Sequence, residues 1–334
     1  MRRIGNLYEK IISIENLRLA DEKARRGKLR SYGVRRHDLK RDENIYKLHG
    51  ILTDKTFKTS RYDIFSMITD NGKMREIYRL PYFPDRIVHH AIMNIMEPIW
   101  MSTFTTDTYS CIKGRGIHGA ANKLKKEIRD IKTTRYCLKI DIRKFYPSVS
   151  HVILKRILRR KIKDKDLLHL LDTIIDSATG LPIGNYLSQF FANIYLSGFD
   201  HWIKEVCKIK YYYRYADDMV FLHHDKAFLH ALLVEINHFM QSELSLTLKS
   251  NYQVFPTKIR GIDFLGYRFY PTHTLLRKSI KVRFCRRAAL LNKLTTITRE
   301  SYRQQMCSWS GWTKHCNSSN LMLKVLKPEF YEAI

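Results

Sequence analysis

The sequence contains no apolar run of about 18 residues, no secretory h-region and no lipidation motif, so it offers no support for a membrane-spanning or membrane-anchored protein. It has no Cys-x-x-Cys pair. Its six cysteines, Cys111, Cys137, Cys207, Cys285, Cys307 and Cys316, are scattered, as expected of reduced thiols in a cytoplasmic protein rather than of disulfides or a zinc site. Internal repeats, low-complexity tracts and long Gly/Ser linkers are also missing, so subdomains are expected to interleave rather than string out. Acidic residues are scarce: 32 Asp+Glu stand against 60 Lys+Arg, a net charge of +28 in 334 residues.

An excess of this size points to a polyanionic partner, because each phosphate neutralised releases counterions and adds affinity independent of sequence. The basic residues gather at both ends. Residues 1–41 hold 13 Lys+Arg against 5 acids, and residues 271–334 hold 12 against 3. Either end alone reads as a solvated basic surface. Two basic flanks suit a polynucleotide better than a small-molecule pocket.

Apolar spacing over residues 4–26 (Ile4, Leu7, Ile11, Ile14, Leu17) predicts a helix in a basic segment. Turn-prone Asp70-Asn71-Gly72 precedes a strand expected over Arg75–Phe83. A helix follows from Ile87 to Trp100, interrupted near Pro98. Residues 136–142 read as a strand ending at Asp141, and residues 150–176 as a basic helical segment. Asn185 caps the next helix, whose Leu187, Phe190, Phe191, Ile194 and Tyr195 form one amphipathic face. A helix near 226–242, a strand over 259–270 and a mainly helical basic tail complete a mixed α+β order.

The chemistry concentrates in Tyr211-Tyr-Tyr-Arg-Tyr-Ala-Asp-Asp-Met-Val-Phe-Leu222. Two runs rich in aromatic and branched residues read as strands, with Ala216-Asp217-Asp218 as the tight turn between them. Adjacent anions at the tip of a buried hairpin repel each other and lose hydration, which is costly unless a cation compensates. Oxygen-only ligands suit magnesium. Asp141, at the end of its own strand, supplies a third carboxylate if the strands are neighbours. Two-metal nucleotidyl transfer needs this set. Successive strand side chains face opposite ways, so Asp217 and Asp218 have unequal roles: Asp141 and Asp217 are the expected principal ligands, Asp218 supports them, and the Ile142 carbonyl contributes. The adjacent His89 and His90 face different directions and have no partners at metal-ligand spacing, so they read as structural or RNA-facing.

Tyr215-Ala-Asp-Asp218 resembles the signature box of reverse transcriptases. Lys139-Ile-Asp-Ile-Arg-Lys-Phe-Tyr-Pro147 is similar to their first catalytic-aspartate motif, and Gly180-Leu-Pro-Ile-Gly-Asn-Tyr-Leu-Ser-Gln189 to the box leading into the palm helix. Gly261-Ile-Asp-Phe-Leu-Gly-Tyr267 resembles the primer grip, and Asp85-Arg-Ile-Val-His-His90 part of the fingers. The Ile183-Gly-Asn-x-x-Ser-Gln189 pattern narrows the resemblance to reverse transcriptases of diversity-generating retroelements, relatives of group II intron enzymes. Ser301-Tyr302 and Gly311-Trp-Thr-Lys-His315 are similar to their thumb segment.

The resemblance implies a right-hand polymerase with an antiparallel palm sheet: fingers at 1–135 with an inserted 148–178, palm at 136–272, and a helical thumb at 273–334. It implies Asp141, Asp217 and Asp218 as catalytic, two Mg²⁺ ions held with Ile142, and an RNA template copied into cDNA from dNTPs. Tyr146 stands at the steric-gate position, under the sugar. Gly184 lets backbone approach the nascent base pair, and Ile183 replaces a hydrogen-bonding Gln with an apolar surface, which weakens base discrimination. Lys73, Arg75 and Gln189 join them on the nucleotide and template, Arg143 and Lys144 contact backbone phosphates, and Phe264, Leu265 and Gly266 form the primer grip. Family members work with a small accessory variability protein and produce cDNA mutated at template adenines. The alternatives are a retron-like or phage-defence reverse transcriptase, or a non-catalytic RNA-binding scaffold.

Overall fold

The computed structural model describes residues 3–68, 72, 74–294 and 296–327. Lys73, Asp70 and Asn71, named above, lie outside the described residues. In chain order the helices are α1 (Tyr8–Ile12), α2 (Ile14–Ala24), α3 (Tyr32–Asp38), α4 (Arg41–Thr53), α5 (Ile87–Met101), α6 (Gly116–Glu127), α7 (Phe145–Ser148), α8 (His151–Lys161), α9 (Lys165–Ile175), α10 (Ser188–His201), α11 (Lys226–Leu244), α12 (Thr257–Arg260), α13 (Lys278–Asn292), α14 (Arg299–Thr313) and α15 (Ser319–Val325). The strands are β1 (Asp63–Ile68), β2 (Met74–Arg79), β3 (Tyr136–Asp141), β4 (Tyr211–Tyr215), β5 (Asp218–His223), β6 (Gln253–Pro256), β7 (Ile262–Phe264), β8 (Tyr267–Phe269) and β9 (Thr274–Leu276). No described helix is long and apolar enough to cross a membrane.

The chain forms two compact units, each assembled from separated segments: Met1–Thr106, Ile142–Cys207 and Asn237–Leu248 in the first, and Asp107–Asp141, Lys208–Ile236 and Lys249–Ile334 in the second. This interleaving matches the absence of linkers in the sequence.

The first unit is mainly helical. The helix expected over 4–26 is broken in two, because Ser13 leaves the helical conformation and its hydroxyl caps α2 by accepting from Asn16 N at 3.2 Å. The segment 150–176 divides for a similar reason. Asp164 caps α9 through Leu167 N (3.1 Å) and also accepts from Leu7 N (2.7 Å) and Tyr8 N (3.0 Å) at the start of α1. One carboxylate thus caps two helices. Burial works against its charge, but these backbone donors win and hold its pKa below the usual carboxylate range. Helix α5 is not interrupted at Pro98: it runs to Met101, with Met96 and Trp100 buried on either side of the proline. It packs against α1 and α2.

β1 and β2 form a separate antiparallel ribbon, paired from Asp63↔Arg79 to Ile68↔Met74, and every residue of β1 is exposed. The strand expected to reach Phe83 stops at Arg79, because Pro81 removes a ladder donor and the chain then kinks at Phe83 before entering α5. Helix α10 is not amphipathic but buried nearly all round, Phe190 through Leu196 included. Asn185 does not cap it directly: its Oδ1 accepts from Leu187 N at 3.2 Å, forming a turn one step before the helix begins.

The second unit is built on the antiparallel sheet β4-β5-β3-β6. Strands β4 and β5 are buried on both faces. Tyr212, Tyr213, Phe221 and Val220 have no exposed surface, and Tyr212 stacks on Phe221 at 4.9 Å. Each such side chain contributes about 1.5–3 kcal/mol by burial. The stretch 259–270, expected as one strand, contains the end of α12 and the hairpin β7–β8, extended by β9 into a three-stranded sheet. Leu265 (φ 52°) and Gly266 (φ 86°) make its two-residue turn. Helices α13, α14 and α15 close a smaller core around Phe284, Tyr302 and Met306.

Candidate functional site

In the second unit the strands that carry the three carboxylates are neighbours. β3 lies beside β5, with Asp141 directly opposite Asp218 in the register. β4 and β5 pair from Tyr211↔Leu222 to Tyr215↔Asp218, which leaves Ala216 and Asp217 as the turn. Ala216 takes a left-handed φ of 54°. Arg214, fully buried, donates from Nη1 to the Ala216 carbonyl at 3.2 Å and steadies that turn. Asp217 therefore sits at the tip and Asp218 opens β5, so the two aspartates occupy unequal positions.

The electrostatics are those of anions short of counter-charge. Burial, reinforced by the Asp141 carboxylate, pushes Asp217 up to about 6. Burial also raises Asp218, opposed by the ammonium of Lys139, whose Nζ lies 3.4 Å from Asp218 Oδ1. Lys249 is joined to Asp141 twice: Nζ pairs with Oδ2, and its backbone N donates to the Asp141 carbonyl at 2.9 Å. Among the described residues Asp141 Oδ1 is buried with no hydrogen-bond partner, and Asp218 Oδ1 meets only Lys139 Nζ.

Orphaned carboxylate oxygens and raised carboxylate pKa values fit a hard divalent cation. As placed, no three His, Cys, Asp or Glu side chains among the described residues converge on one ion. Lys139 and Lys249 supply the positive charge instead. The sequence reading missed both lysines and Arg214. Lys139 was detectable: it lies two residues before Asp141 and so shares its face of β3. Lys249 is remote in sequence and carries no local signal.

A cavity of about 310 Å³ adjoins Asp141 in the same unit, lined by Lys139, Asn251, Gln253, Arg260, Arg268 and Arg277 among others. Arg277 Nε donates to Asp263 Oδ1 at 2.6 Å, and its backbone N donates to the Gly266 carbonyl at 2.9 Å. Lys139 Nζ donates to the Asp263 carbonyl, tying the hairpin β7–β8 to the carboxylate strand. Phe264 and Leu265 are buried, and Gly266 faces Ile280 and Trp312, where an added Cβ would come within 2.8 Å of Ile280 Cδ1.

The remaining sequence candidates belong to the first unit. Ile142 is buried and bridges Leu248, and Arg143 N donates to the Thr247 carbonyl at 2.8 Å. Arg143 and Lys144 are exposed. Tyr146 is half-buried in α7, its ring edge-on to Phe145, and its carbonyl accepts from Leu181 N at 2.8 Å. Arg75 is exposed on β2, and Gln189 is exposed in the first turn of α10.

Ile183 is half-buried, and its carbonyl accepts from Tyr78 N on β2 at 2.7 Å. Gly184, at φ 110°, is needed for a reason the sequence did not show. A Cβ there would lie 2.7 Å from the Tyr78 carbonyl, so glycine lets the loop seat against β2. His89 and His90 are buried and held neutral by that burial, with pKa values pushed down to about 3 and about 4; His90 stacks on Tyr186 at 4.2 Å. They are structural.

The same unit carries a groove of about 930 Å³ lined by Lys28, Arg36, Lys40, Arg61, Arg79 and Arg86 against one acid, Asp63, with exposed Tyr32 alongside. Burial and the neighbouring Arg86 lower the pKa of Lys28. Such a surface favours a polyanion.

Residues 58–269 match the family described as reverse transcriptase (RNA-dependent DNA polymerase). Protein YkfC of Escherichia coli (strain K12) is 28% identical over 243 residues, covering 59% of this chain and 64% of that protein. The group II intron-encoded protein LtrA of Lactococcus lactis subsp. cremoris is 25% identical over 181 residues, 51% of this chain and 30% of that protein. The chain thus spans less than two thirds of the length of these relatives. Among solved structures, apo telomerase from Candida tropicalis superposes with a TM-score of 0.50 at 10% identity, covering 83% of this chain and 64% of that one. Telomerase of the same organism with a fragment of telomeric RNA gives 0.50 at 13% identity, over 79% and 56%. At these identities the likeness is one of fold: mixed helix and antiparallel sheet, consistent with a right-hand polymerase.

Proposed function

We propose, from the premise that this chain belongs to the reverse transcriptase (RNA-dependent DNA polymerase) family, that it extends a primer 3′-end with deoxynucleotides on an RNA template. The observation that carries this reading is the register pair Asp141↔Asp218 with Asp217 at the adjoining turn. Support comes from three carboxylates on neighbouring strands, Asp141 and Asp218 with an oxygen short of hydrogen bonds and Asp217 and Asp218 with pKa values raised by burial, which are the oxygen donors that nucleotidyl transfer uses. Asp141 and Asp217 are the principal ligands of two Mg²⁺ ions, supported by Asp218 and the Ile142 carbonyl. When bound, the metals lower the pKa of the attacking hydroxyl and neutralise the triphosphate. Until then Lys139 and Lys249 offset the mutual repulsion of the carboxylates.

In this reading residues 1–135 with 148–178 serve as fingers, 136–272 as palm and 273–334 as thumb. Arg75, with Lys73, takes the triphosphate, Tyr146 excludes a 2′-hydroxyl, and Ile183, Gly184 and Gln189 face the nascent pair and template. The turn at Phe264, Leu265 and Gly266 positions the primer. The cationic groove suits the template RNA, and the product is a cDNA/RNA duplex.

The finer reading is adenine-mutagenised copying of a template-repeat RNA within a diversity-generating retroelement, in the cytoplasm and with a small accessory variability protein. It is supported by Ile183-Gly184-Asn185 and Ser188-Gln189. The test is sequencing of cDNA from cells co-expressing this protein, its neighbouring RNA and its neighbouring small gene, beside Asp217→Ala. Aspartate-dependent cDNA with substitutions at template adenines supports both levels. Faithful cDNA removes the diversification role and favours a second reading, an intron-type or retron-like enzyme, which the intron-encoded relative supports. RNA binding without cDNA favours a non-catalytic scaffold.

A further inference from the structure

We propose that Tyr62 is a positioning residue. Its hydroxyl pins the root of the β1–β2 ribbon to the loop bearing Ile183 and Gly184, so that Arg75 and Ile183 present one seat to the incoming deoxynucleotide. The occupant of that seat rests on the polymerase reading above. The pin itself rests on geometry within the first unit.

The ribbon stands in solvent along nearly its whole length, so its direction is set where it joins the unit. Three contacts meet there. Tyr78 N donates to the Ile183 carbonyl at 2.7 Å. Gly184 lies so close to the Tyr78 carbonyl that no side chain fits between them. The Tyr62 ring meets the Tyr78 ring edge-on at 5.6 Å.

The Tyr62 hydroxyl extends these contacts into a directed chain. Ser177 Oγ donates to the Ile174 carbonyl at 2.6 Å, which uses its one proton. Tyr62 OH, 2.8 Å from Ser177 Oγ, is therefore the donor in that pair. It also accepts from Asn185 Nδ2 at 3.3 Å, while Asn185 Oδ1 accepts from Leu187 N at 3.2 Å. The end of α9, the ribbon root, the 183–187 loop and the approach to α10 are thus joined through one phenol. Asn185 is buried, so removing that partner strands an amide away from water. Arg75 lies three residues from Tyr78, roughly 10 Å along the strand. A change of angle at the root therefore moves Arg75 further than Ile183, and triphosphate binding suffers before the chemical step does.

The test uses the full chain. Tyr62→Phe keeps the ring and removes only the hydroxyl; Ser177→Ala removes its acceptor. Hydrogen exchange of the protein alone reads the pin. In Tyr62→Phe the amides of Tyr78 and of residues 183–187 exchange about fivefold faster than in wild type, the effect of one lost hydrogen bond. Ser177→Ala moves the same amides, and the double variant matches Tyr62→Phe alone. Primer extension reads the seat: KM for dNTP rises about fivefold in Tyr62→Phe, with kcat and the Kd for an RNA template–DNA primer unchanged. Unchanged exchange, or additive effects in the double variant, overturns the pin. Faster exchange with unchanged KM, or with kcat and Kd altered alongside KM, overturns the positioning role. A wild type that incorporates no nucleotide overturns the polymerase reading, while exchange still decides the pin.

Discussion

Asp141 and Asp218 occupy directly opposed positions on neighbouring antiparallel strands, so sheet register rather than loop conformation brings their carboxylates together. A slip of one residue would turn one of them to the other face. The buried aromatic and branched residues of β4 and β5 make such a slip costly. The carboxylates keep their place only with positive charge nearby, which Lys139 and Lys249 provide.

Lys139→Met removes one of these charges. The ion pair is partly buried and worth on the order of 1 kcal/mol, so the variant melts below wild type in a metal-free buffer. Adding Mg²⁺ relieves the same repulsion and raises the melting temperature more in the variant than in wild type. Equal shifts in thermal melts would show that Lys139 does not share the task of a bound cation.

Ile183→Gln restores a hydrogen-bonding group where the chain has an aliphatic one. Misincorporation opposite template adenine falls more than opposite the other bases, as read by sequencing of extension products. A uniform change across the four template bases would disconnect Ile183 from adenine selectivity.

Gly266→Ala forces a side chain into a left-handed turn position and against Trp312 and Ile280. The variant loses about 2–4 kcal/mol of stability, measurable as a lower urea midpoint. An unchanged midpoint would mean the turn can shift away from α14.

Asp21 is fully buried and bound by Tyr82 OH (2.5 Å), Arg41 Nε (2.7 Å) and Arg25 Nη2 (2.8 Å), with His37 Nε2 at 3.4 Å from Oδ1. Burial opposes its charge, but these donors outweigh it and hold its pKa well below the usual carboxylate range. Because folding lowers this pKa, the stabilisation is complete above the unfolded value of about 3.9 and is lost as pH falls below it. Asp21→Asn costs about 3 kcal/mol at neutral pH and flattens the acid limb of the stability–pH curve. A variant whose acid limb matches wild type would assign that limb to other groups.

The sequence showed the strands that carry carboxylates because their composition is extreme and their turn is short: Tyr211–Leu222 could scarcely be anything but a buried hairpin. Helix boundaries were less legible where one side chain caps two elements. Asp164 breaks the 150–176 segment by binding α1, more than 150 residues away in sequence. The turn at Leu265-Gly266 was hidden because leucine rarely adopts a left-handed φ; packing imposes it. Gly184 stood out in the sequence, but its neighbour Tyr78 did not, since only the tertiary structure brings the ribbon to that loop.

The most direct measurement is incorporation of labelled dNTP by the purified protein on a primed RNA template with Mg²⁺, beside Asp141→Ala and Asp217→Ala. RNA-dependent incorporation by wild type, lost on the order of a thousandfold in both variants, is the expected result. Incorporation that survives either substitution would contradict the assignment of these carboxylates to the chemistry.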